Sequence, residues 1–120
     1  MTNKIYHLSS CSTCQRIINE LGINNTKFEM QNIKTENITD DQLTQMYKLA
    51  GSYEALFSRR AMKYKEWGLK NMNLSETDYR NYILKEYTFL KRPVIISNNH
   101  IFIGNSKKNI EAAKNFLNKT

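Results

Sequence analysis

No stretch of this sequence approaches the roughly 18 apolar residues that a membrane-spanning helix needs. Its N-terminus also lacks a basic segment leading into a signal-type apolar run. The expected compartment is therefore the cytoplasm, with no role in a membrane. Cysteine is scarce: Cys11 and Cys14 are the only two, three positions apart. Thiols so close together cannot form the disulfide framework of a small secreted domain, and in a reducing compartment they point to catalysis, sensing or metal binding. With one proline and four glycines in 120 residues, no flexible linker, low-complexity tract or repeat stands out. Acidic residues number 11 against 18 Lys and Arg, a formal charge of +7. That excess either serves solubility or favours an anionic partner: an oxyanion substrate, nucleic acid or an acidic protein surface.

The pattern that is present suits one domain with a real core. An apolar segment, about Lys4 to Leu8, predicts a first strand, and Ile17, Ile18 and Leu21 predict a helix ending at Gly22. Lys27 to Ile33, where Phe28 and Met30 alternate with polar residues, predicts a second strand, parallel to the first. From about residue 39 to 88 the pattern is helical. Thr39 with Gln42, and Ser75 with Asp78, are spaced as capping boxes. Leu43, Met46, Tyr47, Leu49 and Ala50 form the apolar face of the first of these helices, and Tyr79, Tyr82, Ile83 and Tyr87 that of the last. Shorter helical pieces are expected at about Tyr53 to Phe57 and Tyr64 to Trp67. The aromatics fall at helical period, which marks core and seam residues rather than a base-stacking platform. Val94-Ile95-Ile96 and Ile101-Phe102-Ile103 are continuous apolar runs joined through Asn98-Asn99, an antiparallel hairpin. Asn105 or Ser106 then caps a last helix with Ile110, Ala113, Phe116 and Leu117 on its buried side. The order β-α-β, helical insertion, β-β-α predicts an α/β protein of thioredoxin-like fold, with a four-stranded mixed sheet in a single domain and the insertion at about 39–88.

The two cysteines lie between the first strand and the first helix. A thiol at a helix N-terminus faces unpaired backbone N–H groups and the positive end of the dipole, both of which favour thiolate. Cys11 is therefore the expected nucleophile, and Cys14, one turn on and beside Ile17 and Ile18, the expected resolving thiol. Pro93 opens the third strand, where such folds place a cis proline facing the thiol loop, and Arg92 precedes it. An arginine there can stabilise a Cys11 thiolate and offer a planar fork to an oxyanion or carboxylate. A zinc site of Cys11, Cys14, His7 and His100 lacks the usual ligand spacing. Direct DNA binding is not expected, because no basic recognition helix stands out.

Ile5-Tyr6-His7 leading to Cys11, Ala55-Leu56-Phe57-Ser58-Arg59-Arg60 through Trp67-Gly68-Leu69, and Phe89-Leu90-Lys91-Arg92-Pro93-Val94-Ile95-Ile96 resemble the arsenate reductase (ArsC) family, which includes the Spx regulators and YffB-like proteins. The resemblance covers nearly the whole chain. It implies a thioredoxin-like fold, Cys11 as nucleophile and Arg92 as thiolate or oxyanion partner. Arg59 or Arg60 would serve as the insertion's arginine, Ser12, Thr13 and Pro93 as further oxyanion- or substrate-binding residues, and His7 as a charge that helps keep Cys11 ionised. The implied activity is thiol-dependent reduction of arsenate or another small oxyanion or disulfide, with Cys14 or an external thiol resolving. No bound cofactor is implied; glutathione, glutaredoxin or thioredoxin would be the reductant. The alternative it implies is a redox regulator binding the RNA polymerase α subunit through a Cys11–Cys14 switch. Two departures bear on this choice: Gly104-Asn105 stands where glutathione-dependent members carry a third arginine, and Cys14 is an additional thiol in the active loop.

Overall fold

The computed structural model describes residues 3–119. The chain divides into two compact units, one built from residues up to Glu36 and from Arg92 onward, the other from Asn37–Lys91.

In the first unit, β1 (Lys4–His7), β2 (Glu29–Asn32), β3 (Val94–Ser97) and β4 (His100–Ile103) form one sheet in the order β2-β1-β3-β4. β1 runs parallel to β2 and antiparallel to β3, and β3 antiparallel to β4. This is the mixed α/β sheet of the thioredoxin-like arrangement. β3 is a central strand, buried along its whole length, which explains its unbroken apolar run. Ile5 and Ile95 pair across β1 and β3 and pack with Ile18, Ile23 and Phe28. Leu21, Met30, Phe102 and Leu117 close around them. Burying one such side chain contributes about 1.5–3 kcal/mol. α1 (Ser12–Leu21) ends where Gly22 takes φ 68°, and Asn98 and Asn99, at φ 52° and 63°, make the predicted hairpin turn. Ser106, rather than Asn105, caps α5 (Lys107–Asn118) by accepting from the Asn109 N–H at 3.2 Å.

β2 is shorter than Lys27 to Ile33. The N–H groups of Lys27 and Phe28 turn back to the Asn24 carbonyl at 3.2 and 2.9 Å, and Glu36 N–H closes a turn on Asn32 O at 2.9 Å. Gln31, expected on a polar face, is buried and donates to the Glu36 carbonyl at 2.9 Å.

The second unit is helical: α2 (Asp40–Ala50), α3 (Met62–Glu66) and α4 (Glu76–Lys85), with 3-10 turns at Glu54–Leu56, Leu69–Asn71 and Tyr87–Phe89. Both capping boxes form: Thr39 and Gln42 bond reciprocally at 3.0 and 3.1 Å, Ser75 and Asp78 at 2.9 and 3.2 Å. Arg80 of α4 pairs with Asp40 of α2. The core is aromatic: Phe57 stacks on Phe89 with centroids 5.0 Å apart and meets Tyr79 at 4.9 Å. Tyr47, expected to be buried, is partly exposed and stacks on Tyr53 at 4.3 Å. Ser58 N–H donates to Phe89 O at 2.7 Å and Lys91 N–H to Leu56 O at 2.9 Å, an antiparallel bridge of Phe57 with Leu90 that the sequence did not signal.

Candidate functional site

β1 stops at His7 because the chain folds into a turn in which Cys11 N–H bonds the Leu8 carbonyl at 3.0 Å. Cys11 is then the N-cap of α1, extended at φ −92° and ψ 113°, with its carbonyl accepting from Gln15 N–H at 3.1 Å. The loop is held from the side by Asn32, whose Nδ2 donates to Ser9 Oγ at 2.7 Å. Cys11 is half-buried, while Cys14 is 1 % exposed on the side of α1 that carries Ile17 and Ile18. Both thiols are free.

The register of β3 on β1 brings Arg92 and Pro93 to this loop. Tyr6 pairs with Val94, so continuing the antiparallel register sets Pro93 opposite His7 and Arg92 opposite Leu8, where the thiol turn begins. The Arg92–Pro93 bond is cis, as predicted, and Pro93 is buried with its carbonyl accepting from Gly104 N–H at 2.9 Å. Among the described residues Arg92 makes no ion pair with a carboxylate. Its charge acts on Cys11 and Cys14.

The two thiols are driven apart in acidity. Burial alone would raise Cys11, but it is outweighed by the backbone N–H of Cys14, the Cys14 thiol, the Thr13 N–H and the Arg92 guanidinium, and Cys11 lies below the ordinary thiol value. Cys14 is pushed up to about 11, first by burial and further by the neighbouring Cys11 charge. A thiolate facing the first-turn N–H groups of a helix, hydrogen-bonded by a second, protonated thiol, is an activated nucleophile with a partner behind it. Ser12 is exposed and Thr13 half-buried in that first turn, Thr13 through its backbone.

His7 does not take the expected part. It is buried, burial lowers its pKa, and its Nδ1 has no hydrogen-bond partner among the described residues. The ring is therefore neutral at pH 7 and brings no positive charge to Cys11. Arg59 and Arg60 lie in the second unit. Arg59 Nη2 donates to Glu54 Oε2 at 2.6 Å and to Tyr79 OH at 2.9 Å, so it is committed there. Arg60 is exposed and its guanidinium has no partner among the described residues. No group of three or more His, Cys, Asp or Glu side chains is placed to hold a metal among the described residues, and His100 instead packs on Phe116 with centroids 4.4 Å apart.

Comparison with known proteins gives a curated relative, the global transcriptional regulator Spx of Streptococcus mutans, 26% identical over 104 residues, which are 86% of this chain and 76% of that protein. Among solved structures, an ArsC-family-related protein from Bacteroides fragilis superposes with a TM-score of 0.77 at 23% identity, covering 94% of this chain and 99% of that one. An arsenate reductase from Vibrio cholerae does so with a TM-score of 0.70 at 21% identity, covering 94% and 95%. These likenesses are of fold. The thiol loop, Arg92, Pro93 and β3 all fall within residues 6–113, the stretch matched by the ArsC family model, and the chain belongs to the ArsC family.

Proposed function

We propose that the protein is a thiol-dependent oxidoreductase of the arsenate reductase type, with Cys11 attacking arsenate or another small oxyanion or disulfide substrate. The observation that carries this reading is the opposed acidity of the two thiols beside an arginine with no carboxylate partner. With arsenate, the Cys11 thiolate forms an S–As bond and one arsenic oxygen leaves as water after protonation. Cys14, or an external thiol, then attacks the Cys11 sulfur. The S–As bond breaks with its electron pair staying on arsenic, giving arsenite and a disulfide. Two thiols are oxidised as As(V) becomes As(III), and glutathione, glutaredoxin or thioredoxin returns the two electrons.

The order of events follows from the charges. Part of what holds Cys14 protonated is the negative charge on Cys11. Once Cys11 is esterified that charge is gone, and Cys14 ionises more readily at the moment it is needed. The charge of Arg92 acts on both thiols, and its fork matches an oxyanion. The test is arsenate-dependent consumption of reduced glutaredoxin or thioredoxin by the parent and by Cys11→Ser. Activity confined to the parent supports the reading; equal rates in the two proteins exclude Cys11 as nucleophile.

A second reading has its own support in the Spx relative: a redox regulator whose Cys11–Cys14 disulfide controls binding to RNA polymerase. Pull-down of the polymerase α subunit by oxidised and reduced protein separates the two. Binding that depends on the disulfide, with no arsenate turnover, favours the regulator.

A further inference from the structure

Four large hydrophobic side chains are exposed among the described residues, and three of them, Met62 (79 %), Trp67 (37 %) and Met72 (53 %), fall in one short stretch of the helical unit. The same stretch, Met62 to Met72, carries Lys63, Lys65 and Lys70 against one acidic residue, Glu66. Trp67 is held in place rather than loose: its ring meets Phe89 at 5.5 Å and Tyr82 at 6.1 Å. Over that ring stand two ammonium groups, Lys85 Nζ at 5.4 Å and Lys63 Nζ at 6.0 Å from its centroid. Glu66 approaches only Lys63, at 3.8 Å, and Lys65, Lys70 and Lys85 make no ion pair among the described residues.

We propose that this surface docks an acidic segment of a partner protein, whose carboxylates bridge Lys63 and Lys85 while an apolar side chain lies against Trp67 and the flanking methionines. Tryptophan and methionine are enriched at protein interfaces, and methionine adapts to the shape it meets. Lys65, Lys70 and Lys85, with no ion pair among the described residues, and Lys63, which Glu66 meets only at 3.8 Å, set the sign of the partner. A second copy of this basic chain would bring like charges together. A nucleobase stacking on the indole would have to displace the ammonium groups over it, whereas a carboxylate is drawn to them. A ring packed against Phe89 and Tyr82 is not free to insert into a bilayer. The proposal is independent of the chemistry at Cys11.

Trp67 is the chain's single tryptophan, so its emission reports the surface directly. The probe is a short end-capped peptide of glutamate and leucine, titrated into the full chain, with the same peptide carrying a fluorophore as a second readout by anisotropy. The expected result is saturable binding that changes Trp67 emission. Lys63→Glu combined with Lys85→Glu should weaken it by roughly tenfold or more, and so should Met62→Asp, a fully surface change. Reversing Lys107 and Lys108 to Glu makes the same change in net charge in the other unit and should alter affinity by no more than about twofold. The proposal is overturned by the absence of saturable binding, or by equal losses in the two charge-reversed pairs, which would mean general attraction. Tighter binding to oligodeoxythymidine or to phosphatidylserine vesicles than to the peptide overturns it as well.

Discussion

Replacing Arg92 by alanine removes a side-chain charge that acts on both thiols and leaves the helix start intact. Its effect on Cys11 is the smallest of those that stabilise the thiolate, behind the Cys14 and Thr13 N–H groups and the Cys14 thiol. Two unit charges about 4 Å apart interact by roughly 1 kcal/mol in water and roughly 4 kcal/mol near a protein surface. Cys11 is partly solvated, so the lower end applies, and loss of about 1 kcal/mol slows alkylation by iodoacetamide by about fivefold at pH values below that of half-ionisation. Iodoacetamide is neutral and reads the thiolate alone. An oxyanion also loses its charge-assisted hydrogen bonds, at about 1.5–3 kcal/mol, so kcat/KM for arsenate should fall by a further ten- to hundredfold. Arg92→Lys restores the charge without the fork and should recover alkylation while recovering arsenate turnover only in part. The assay is the pair of rates on all three proteins. An alkylation rate unchanged across the pH profile would break the link between Arg92 and the thiolate. Equal losses in both rates would show that Arg92 acts through Cys11 and does not hold the oxyanion.

The raised pKa of Cys14 has a consequence for stability. In the unfolded chain the thiol ionises near 9, but in the fold it keeps its proton to about 11, so between these values the unfolded state binds fewer protons and stability falls as pH rises. The loss attributable to Cys14 is on the order of 2 kcal/mol across that window. Urea unfolding of the parent and Cys14→Ser at pH 8 and pH 11 should show a steeper fall in the parent. Thr39→Ala removes one side of a capping box and should cost about 1 kcal/mol, a drop of a few degrees in Tm by calorimetry. Phe57→Ala opens a cavity against Phe89 and Tyr79 and should cost about 3–5 kcal/mol in denaturant unfolding. Asn99, at φ 63°, sits where glycine carries no strain, so Asn99→Gly should leave stability equal or slightly higher and Asn99→Val should lower it by about 1 kcal/mol or more.

What was legible in the sequence is what neighbouring residues decide among themselves. Thr39 with Gln42 and Ser75 with Asp78 satisfy each other within one helical turn, and Gly22 needs only its own backbone freedom to end α1. Cys11 belongs to the same class, because the N–H groups that favour its thiolate are those of Thr13 and Cys14, two and three residues away. Arg92 was reached one step less directly, through strand order: its place depends on β3 pairing antiparallel with β1, which the continuous apolar run and the single proline together signalled. The readings that changed rest on how the chain packs, whether the partner lies five residues away, as Glu54 does for Arg59 and Glu36 for Gln31, or farther. Arg59 looked available because the turn that folds Glu54 back onto it, and the Tyr79 hydroxyl that reaches it from 20 positions away, are set by the fold of the helical unit. His7 was read as a charge beside the loop, but its protonation is set by burial, a property of everything packed around the end of β1. Gln31 follows the same rule, being polar by type and buried through the Glu36 carbonyl that satisfies it. The division is therefore between a thiol whose own helix start lowers its pKa and surroundings that only tertiary packing can charge or neutralise. Substitutions within Cys11 to Cys14 should accordingly act chiefly on the reactivity of the thiolate, and substitutions at Arg92 on that reactivity to a smaller degree and more strongly on turnover of an anion.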